Sequence, residues 1–183
     1  KILLTGDFEL SWQRLRPVEL VIWDEEGSQF LLDALNPDSH HILKVRNHPI
    51  YLHPLIVWET LISALTKTNT PYGVVIKQCR PKAVVTFIDN NPRFHKLASR
   101  VPDVRFIAIQ NGARLNFPDQ PQVIGPPATF DSEYLCFGQR EINLFSACGY
   151  NFKQIEVMGS LKNALFERNL RESTKSPPVG QRG

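Results

Sequence analysis

The sequence lacks several of the motifs that assign a biochemical class directly. It has only three cysteines with no CxxC pair, and neither a GxGxxG fingerprint nor a GxxxxGK[ST] loop occurs in its 183 residues. The wide cysteine spacing, with two cysteines inside apolar runs, indicates buried free thiols in a reducing compartment. The missing glycine motifs disfavour a dinucleotide-binding enzyme and a P-loop enzyme.

An excess of one charge and long apolar runs are also missing. The chain carries 21 basic and 18 acidic side chains, a formal net charge of +3, and the basic residues are scattered. A nucleic-acid partner is therefore not favoured. No apolar run approaches the roughly 20 residues that cross a bilayer, and no basic-then-apolar leader opens the chain. We expect no transmembrane segment and a location in the cytoplasm or at the inner face of the membrane.

Metal-binding and hydrolase patterns are equally weak. The five histidines show none of the compact spacings of metal sites. No serine or cysteine lies in the context of a nucleophile elbow. The sequence therefore predicts neither a metal centre nor a hydrolase triad.

What the sequence does contain is an alternation of short apolar stretches and helical patterns. This alternation predicts an α/β domain with a Rossmann-like parallel sheet of about six strands, flanked by helices. The predicted strands are 19–23, 42–45, 83–88, 104–109, 133–137 and 154–158. The predicted helices are a short one within 30–35, one from Pro54 that ends before 67–70, and 72–79, 92–100, 139–148 and 160–169.

The same pattern predicts the limits of the domain. Residues 1–17 form an N-terminal extension, 18–169 form the α/β domain, and 170–183 form a flexible tail or truncated linker. In the helix from Pro54, apolar residues recur at three and four positions. We expect Trp58, Leu61 and Leu65 on this helix to lie in the core.

Polar residues follow the predicted strands, at the edge where parallel α/β sheets bind ligands. None of them forms a specific motif alone. The candidates are Asp24, Arg46, Asp89, Asn90, Asn91, Gln110, Asn111, Gly112, Gly138, Gly159 and Ser160.

Each candidate has a structural alternative. Asp89 could act as a base or nucleophile, or could form an Asx turn beside the Asn91 cap. Gln110 to Gly112 could let the backbone approach a sugar or phosphate, or could form a tight turn that needs glycine. For Gly159 and Ser160, an ordinary serine cap is favoured over a phosphate site.

The ordered strand-end segments resemble a family of surface carbohydrate biosynthesis proteins related to GT-B glycosyltransferases. The resemblance covers roughly residues 18 to 166. Its segments are 21–28, 43–46, 81–91, 106–112 with Arg114, 134–138 and 157–160.

The resemblance implies a two-lobed glycosyltransferase of surface polysaccharide biosynthesis, with this chain as the N-terminal lobe. Such an enzyme would transfer a sugar, with a Kdo-type acidic sugar as one option, from a sugar nucleotide to a glycan or lipid-linked acceptor. The lobe alone would bind no cofactor, and a C-terminal lobe would hold most of the donor.

The resemblance also implies roles for individual residues. Asp89 would be the catalytic carboxylate near the anomeric carbon. Asp24, Arg46, Gln110, Asn111 and Arg114 would line the cleft, the arginines facing a sugar carboxylate or phosphate. Two alternatives stay open: a non-catalytic Rossmann-type binding module, and a sugar-nucleotide epimerase of GT-B ancestry.

Overall fold

The computed structural model describes residues 10–11, 15–32, 35–47, 50–66, 70–112 and 126–175. Strands and helices alternate through this part of the chain. The strands are β1 (Leu10–Ser11), β2 (Leu20–Trp23), β3 (His40–Leu43), β4 (Ile50–Tyr51), β5 (Ala83–Thr86), β6 (Arg105–Ile109), β7 (Thr129–Cys136) and β8 (Asn151–Val157). The helices are α1 (Gln29–Leu32), α2 (Pro54–Thr66), α3 (Pro71–Cys79), α4 (Pro92–Ala98), α5 (Gln139–Ala147) and α6 (Leu161–Lys175).

Six strands form one all-parallel sheet in the order β3-β2-β5-β6-β7-β8, and β1 pairs with β4 in a separate parallel pair. The predicted fold class is confirmed: the domain is α/β, with a Rossmann-like parallel sheet flanked by helices. From β2 the chain goes first to β3 on one side and then to β5 on the other. The strand order therefore reverses between β2 and β5, and we call this place the switch point.

Sequence signals account for the starts of α3 and α4. Pro71 and Pro92 each occupy a first helical position, where the missing N–H costs nothing. The side chains of Thr70 and Asn91 cap these two helices by accepting from Gly73 N and Arg93 N. The Asn91 cap and the helix after it are thus confirmed.

Most of the hydrophobic core lies on one face of the sheet. There, Trp23, Phe94 and Phe106 are almost fully buried with residues of α3, α4 and α5. A smaller cluster on the other face is centred on Val85, Phe87 and Ile109, with Leu31 of α1 and Leu161 of α6 packed against it.

Several predicted boundaries shift. The second main strand is His40–Leu43 rather than 42–45, because residues 45–47 turn into a 3-10 helix. The last two strands begin earlier than predicted, at Thr129 and Asn151, because they pair with each other beyond the apolar stretches. The last helix continues to Lys175, beyond its predicted end at Asn169.

The prediction that Trp58, Leu61 and Leu65 lie in the core is wrong. Trp58 is 61% exposed, Leu65 is 77% exposed and Leu61 is also exposed. Ile56 is the buried residue of α2, which packs on α3, while α3 contributes five buried residues against the sheet. The apolar periodicity predicted a helix correctly, but it could not show which element the helix packs on.

The three cysteines are free thiols, as the sequence predicts. Cys79 and Cys136 are buried, and burial raises the pKa of the Cys79 thiol to about 11. Among the described residues, no helix combines the length and the apolar character that crossing a membrane requires.

The exposure of α2 leads to a stability prediction. Trp58→Gln should change the free energy of unfolding by no more than about 0.5 kcal/mol, because the ring makes little buried contact. Phe94→Ala should cost about 3–5 kcal/mol, because it opens a cavity in the main core. Denaturant unfolding of both variants measures the difference. An equal loss in the two variants would contradict the packing described for α2.

Candidate functional site

The residues after β2 form the best-defined polar cluster at the carboxyl edge. Asp24 is buried, and its backbone is left-handed with φ at 71°. Its carboxylate accepts a hydrogen bond from Glu26 N at 3.2 Å, which closes an Asx turn. This turn stabilises a backbone conformation that costs a residue with a Cβ about 1–2 kcal/mol.

Arg46 reaches this cluster from the 3-10 turn that follows β3. Its Nε lies 2.8 Å from Oδ2 of Asp24, and its Nη1 pairs with the carboxylate of Glu26. The hydrogen bond to Asp24 raises the pKa of the Arg46 guanidinium above its usual range. The Arg46 side chain is still 56% exposed, so an anionic ligand could reach it.

The ends of β2, β5 and β6 also meet at the switch point. Gly27 has φ at 76°, and a Cβ there would lie 3.0 Å from Phe87 Cβ and 3.8 Å from Asn111 Nδ2. Glycine is therefore needed at position 27 for both conformation and space. Asn111 Oδ1 is buried and accepts no hydrogen bond from the described part of the chain. A buried acceptor of this kind is a site where a ligand donor or a water would bind.

Asp89 takes part in a buried hydrogen-bond network beneath the β5–α4 turn. Tyr134 donates its phenol hydrogen to the Asp89 carboxylate. His95 Nε2 lies 2.8 Å from the Asp89 carbonyl oxygen, and His95 Nδ1 lies 2.7 Å from Ser132 Oγ. Because a carbonyl oxygen only accepts, Nε2 carries the ring proton, and Nδ1 of the neutral ring accepts from Ser132. Asp89 and Tyr134 are both nearly inaccessible to solvent.

Gln110 is also buried and uses both ends of its amide within the fold. Its Oε1 accepts from Phe137 N at 2.9 Å, and its Nε2 donates to the carbonyl oxygen of Gly112 at 2.9 Å. These bonds join the loop after β6 to the end of β7. The geometry favours an architectural role for Gln110 over ligand contact.

The remaining predicted residues of the strand ends are Asn90, Gly112, Gly138 and Arg114. Asn90 is exposed beside Asp89. Gly112 does not adopt a positive φ, and a Cβ there would meet no described atom within 4 Å, so the expected need for glycine is not met. Gly138 precedes α5 in an extended conformation. Arg114 lies outside the described residues.

The favoured interpretation of Ser160 as a helix cap is confirmed. Its Oγ accepts from Asn163 N at 3.3 Å in the first turn of α6. Gly159 before it has φ at 79°, which suits glycine, and a Cβ there would meet no described atom. These two residues complete the start of a helix.

Sequence reasoning missed the buried partners of Asp89. His95 lies between Phe94 and Leu97 on the apolar face of α4, and this position was the available signal that the ring is buried. Ser132 and Tyr134 belong to a strand whose start was predicted too late, and nothing in their spacing relates them to Asp89. The role of Gly27 could not be found either, because it depends on Phe87 and Asn111 across the sheet.

The chain was compared with protein-family models, curated proteins and solved structures. No protein-family model, no curated protein and no solved structure matches it.

Burial of His95 predicts a pH dependence of stability. Desolvation lowers the pKa of His95 below the usual 6.5, and its bond to the Asp89 carbonyl only partly opposes this shift. The unfolded chain therefore takes up a proton below about pH 6.5 that the folded chain binds only at lower pH, so stability is complete above about pH 6.5 and falls below it. One such group contributes at most about 1.4 kcal/mol per pH unit.

Denaturant unfolding between about pH 7.5 and pH 5 tests this expectation. His95→Gln should be less stable at neutral pH and should lose less stability on acidification. Burial also lowers the pKa of His41, so His41→Gln measures separately how much of the wild-type slope comes from that ring. The His95 interpretation fails if the slope of His95→Gln equals that of the wild type.

Proposed function

We propose that the chain is the N-terminal lobe of a glycosyltransferase-like protein of surface polysaccharide biosynthesis, and that its switch point binds a sugar substrate. The observation that carries the proposal is the cluster of Asp24, Glu26 and Arg46 at this edge. Open α/β sheets bind ligands at the carboxyl ends of strands where the order reverses. Left-handed residues with a side chain also occur preferentially at ligand sites.

The chemistry of the cluster fits an acidic sugar or a phosphate. Arg46 is held in place by two carboxylates, through Nε and Nη1, and its side chain remains accessible, so its remaining N–H groups are preorganised for a ligand. Asn111 Oδ1, which accepts no hydrogen bond from the described residues, would accept from a sugar hydroxyl, as amide oxygens commonly do. A charged donor and a neutral acceptor together suit a ligand that carries both an anionic group and hydroxyls.

In this proposal Asp89 is not the catalytic carboxylate that the resemblance implies. A nucleophilic carboxylate must reach the anomeric carbon, whereas the Asp89 carboxylate is buried and bound by Tyr134. This geometry favours Asp89 as a positioning residue that fixes the β5–α4 turn. Arg46 and Asn111 are then the residues that contact the sugar.

The second candidate is a non-catalytic binding module. It is supported by the way Asp89 and Gln110 are satisfied within the fold, because these bonds occupy the polar groups that would otherwise act on a ligand. Such a module would bind the same ligand class without transferring it. An epimerase has no specific observation in its favour.

A transfer assay tests the proposal. The native polypeptide that contains this chain should transfer an acidic sugar from its cytidine nucleotide to a phosphorylated glycan acceptor. Arg46→Gln should lower kcat/KM about tenfold or more, because it removes a charge-assisted contact. Arg140→Gln, at an exposed cation on α5, should leave kcat/KM unchanged. Binding without transfer, across a panel of sugar nucleotides, would favour the binding module.

Asp89→Asn and Tyr134→Phe separate the two roles of Asp89. A positioning role predicts that each variant loses about 1–2 kcal/mol of stability, and that the losses are not additive in the double variant. Transfer should then fall to a similar extent in both. A catalytic Asp89 instead predicts that transfer is abolished by Asp89→Asn alone. Unfolding curves and kcat measured on the same preparations distinguish these outcomes.

A further inference from the structure

A cavity of about 340 Å³ lies between α3 and α4, apart from the residues assigned above. Its volume falls within the range of about 300–1,000 Å³ that is typical of small-molecule sites. We call it the α3–α4 cavity. It is lined by Trp23, Thr70, Pro71, Tyr72, Arg93, Lys96, Leu97 and Arg100.

Three cations are grouped on one side of this cavity. Arg93 and Lys96 are three residues apart in α4, a spacing that places their side chains on one helix face. Arg100, in the turn after α4, also lines the cavity. All three are exposed, and no described carboxylate forms an ion pair with them. An unpaired basic group of this kind attracts anions.

The rest of the lining is largely apolar. Trp23 is 1% exposed, and its indole Nε1–H finds no acceptor in the described part of the chain. Buried polar groups without a partner are rare, because each costs about 1–3 kcal/mol. Tyr72 packs edge-on against Trp23 with ring centroids 5.2 Å apart, so an aromatic wall adjoins the basic side.

We propose that the α3–α4 cavity binds a phosphate monoester with a small apolar body. The apolar body would lie against Trp23, Tyr72 and Leu97, and the phosphate would face the three cations. A dianion matches three cations better than a single carboxylate does, and arginine binds phosphate oxygens in a bidentate manner.

This site does not depend on the switch-point proposal. Trp23 belongs to the core on the α3–α4 face, whereas Phe87 beside Gly27 belongs to the cluster on the opposite face. Consecutive residues of a strand point to opposite faces, so the end of β2 can contribute to both sites. Loss of one binding activity should therefore leave the other in place.

The test is a titration of the ¹⁵N-labelled chain with 1-naphthyl phosphate, followed by NMR of the tryptophan indole N–H signals. Trp23→Phe identifies the Trp23 signal. We expect a saturable shift of that signal and weaker binding by Trp23→Phe. Inorganic phosphate and neutral 1-naphthol should each bind about tenfold more weakly, because each lacks one half of the ligand.

Charge reversal tests the basic side of the cavity. Arg93→Glu and Lys96→Glu should each weaken binding of 1-naphthyl phosphate about tenfold or more. Arg140→Glu is the matched control and should bind as the wild type does. Circular dichroism melting checks that every variant is folded.

Several results would overturn the proposal. They are the lack of a saturable shift, equal binding of 1-naphthol or inorganic phosphate, and equal effects of Arg93→Glu and Arg140→Glu. Unchanged affinity in a folded Trp23→Phe variant would overturn the placement of the apolar body against Trp23.

Discussion

Parallel pairing of all six strands of the main sheet is the constraint on which the other features depend. It brings the carboxyl ends of all six strands to one edge. There the backbone must leave the sheet without leaving buried N–H and C=O groups unpaired. The hydrogen bonds accordingly continue just past the strands: Asp24 N donates to Leu43 O at 2.9 Å, and Gln110 N donates to Leu135 O at 2.9 Å. Hydrogen bonds therefore join the strand ends at this edge, and a ligand bound there could contact several loops at once.

The same edge contains polar side chains of two kinds. Asp89 and Gln110 make hydrogen bonds within the fold, and these bonds join β5, β6, β7 and α4. Arg46 and the Oδ1 of Asn111 keep capacity for a further partner. Residue type does not distinguish the two kinds, since each includes an amide. What distinguishes them is whether a neighbouring strand supplies a partner, and this is decided by the register of the sheet.

The end of β2 has a special position in the molecule. Trp23 packs into the main core and lines the α3–α4 cavity. Asp24, with its left-handed backbone, directs the chain toward the switch point. Two adjacent residues thus border the α3–α4 cavity and the switch point. Thr86 ties this end to β5 by donating to Trp23 O at 3.1 Å, so both regions share one rigid support.

The sequence by itself determined the alternation of strands and helices, the parallel sheet, the Asn91 and Ser160 caps and the free cysteines. These features follow from local periodicity and from side chains that bond within a few residues. Only the tertiary structure decided that α2 exposes Trp58, that Asp89 is buried under Tyr134, and that Gly27 lies against Phe87. Each of these depends on contacts between residues far apart in the chain, which local periodicity does not encode.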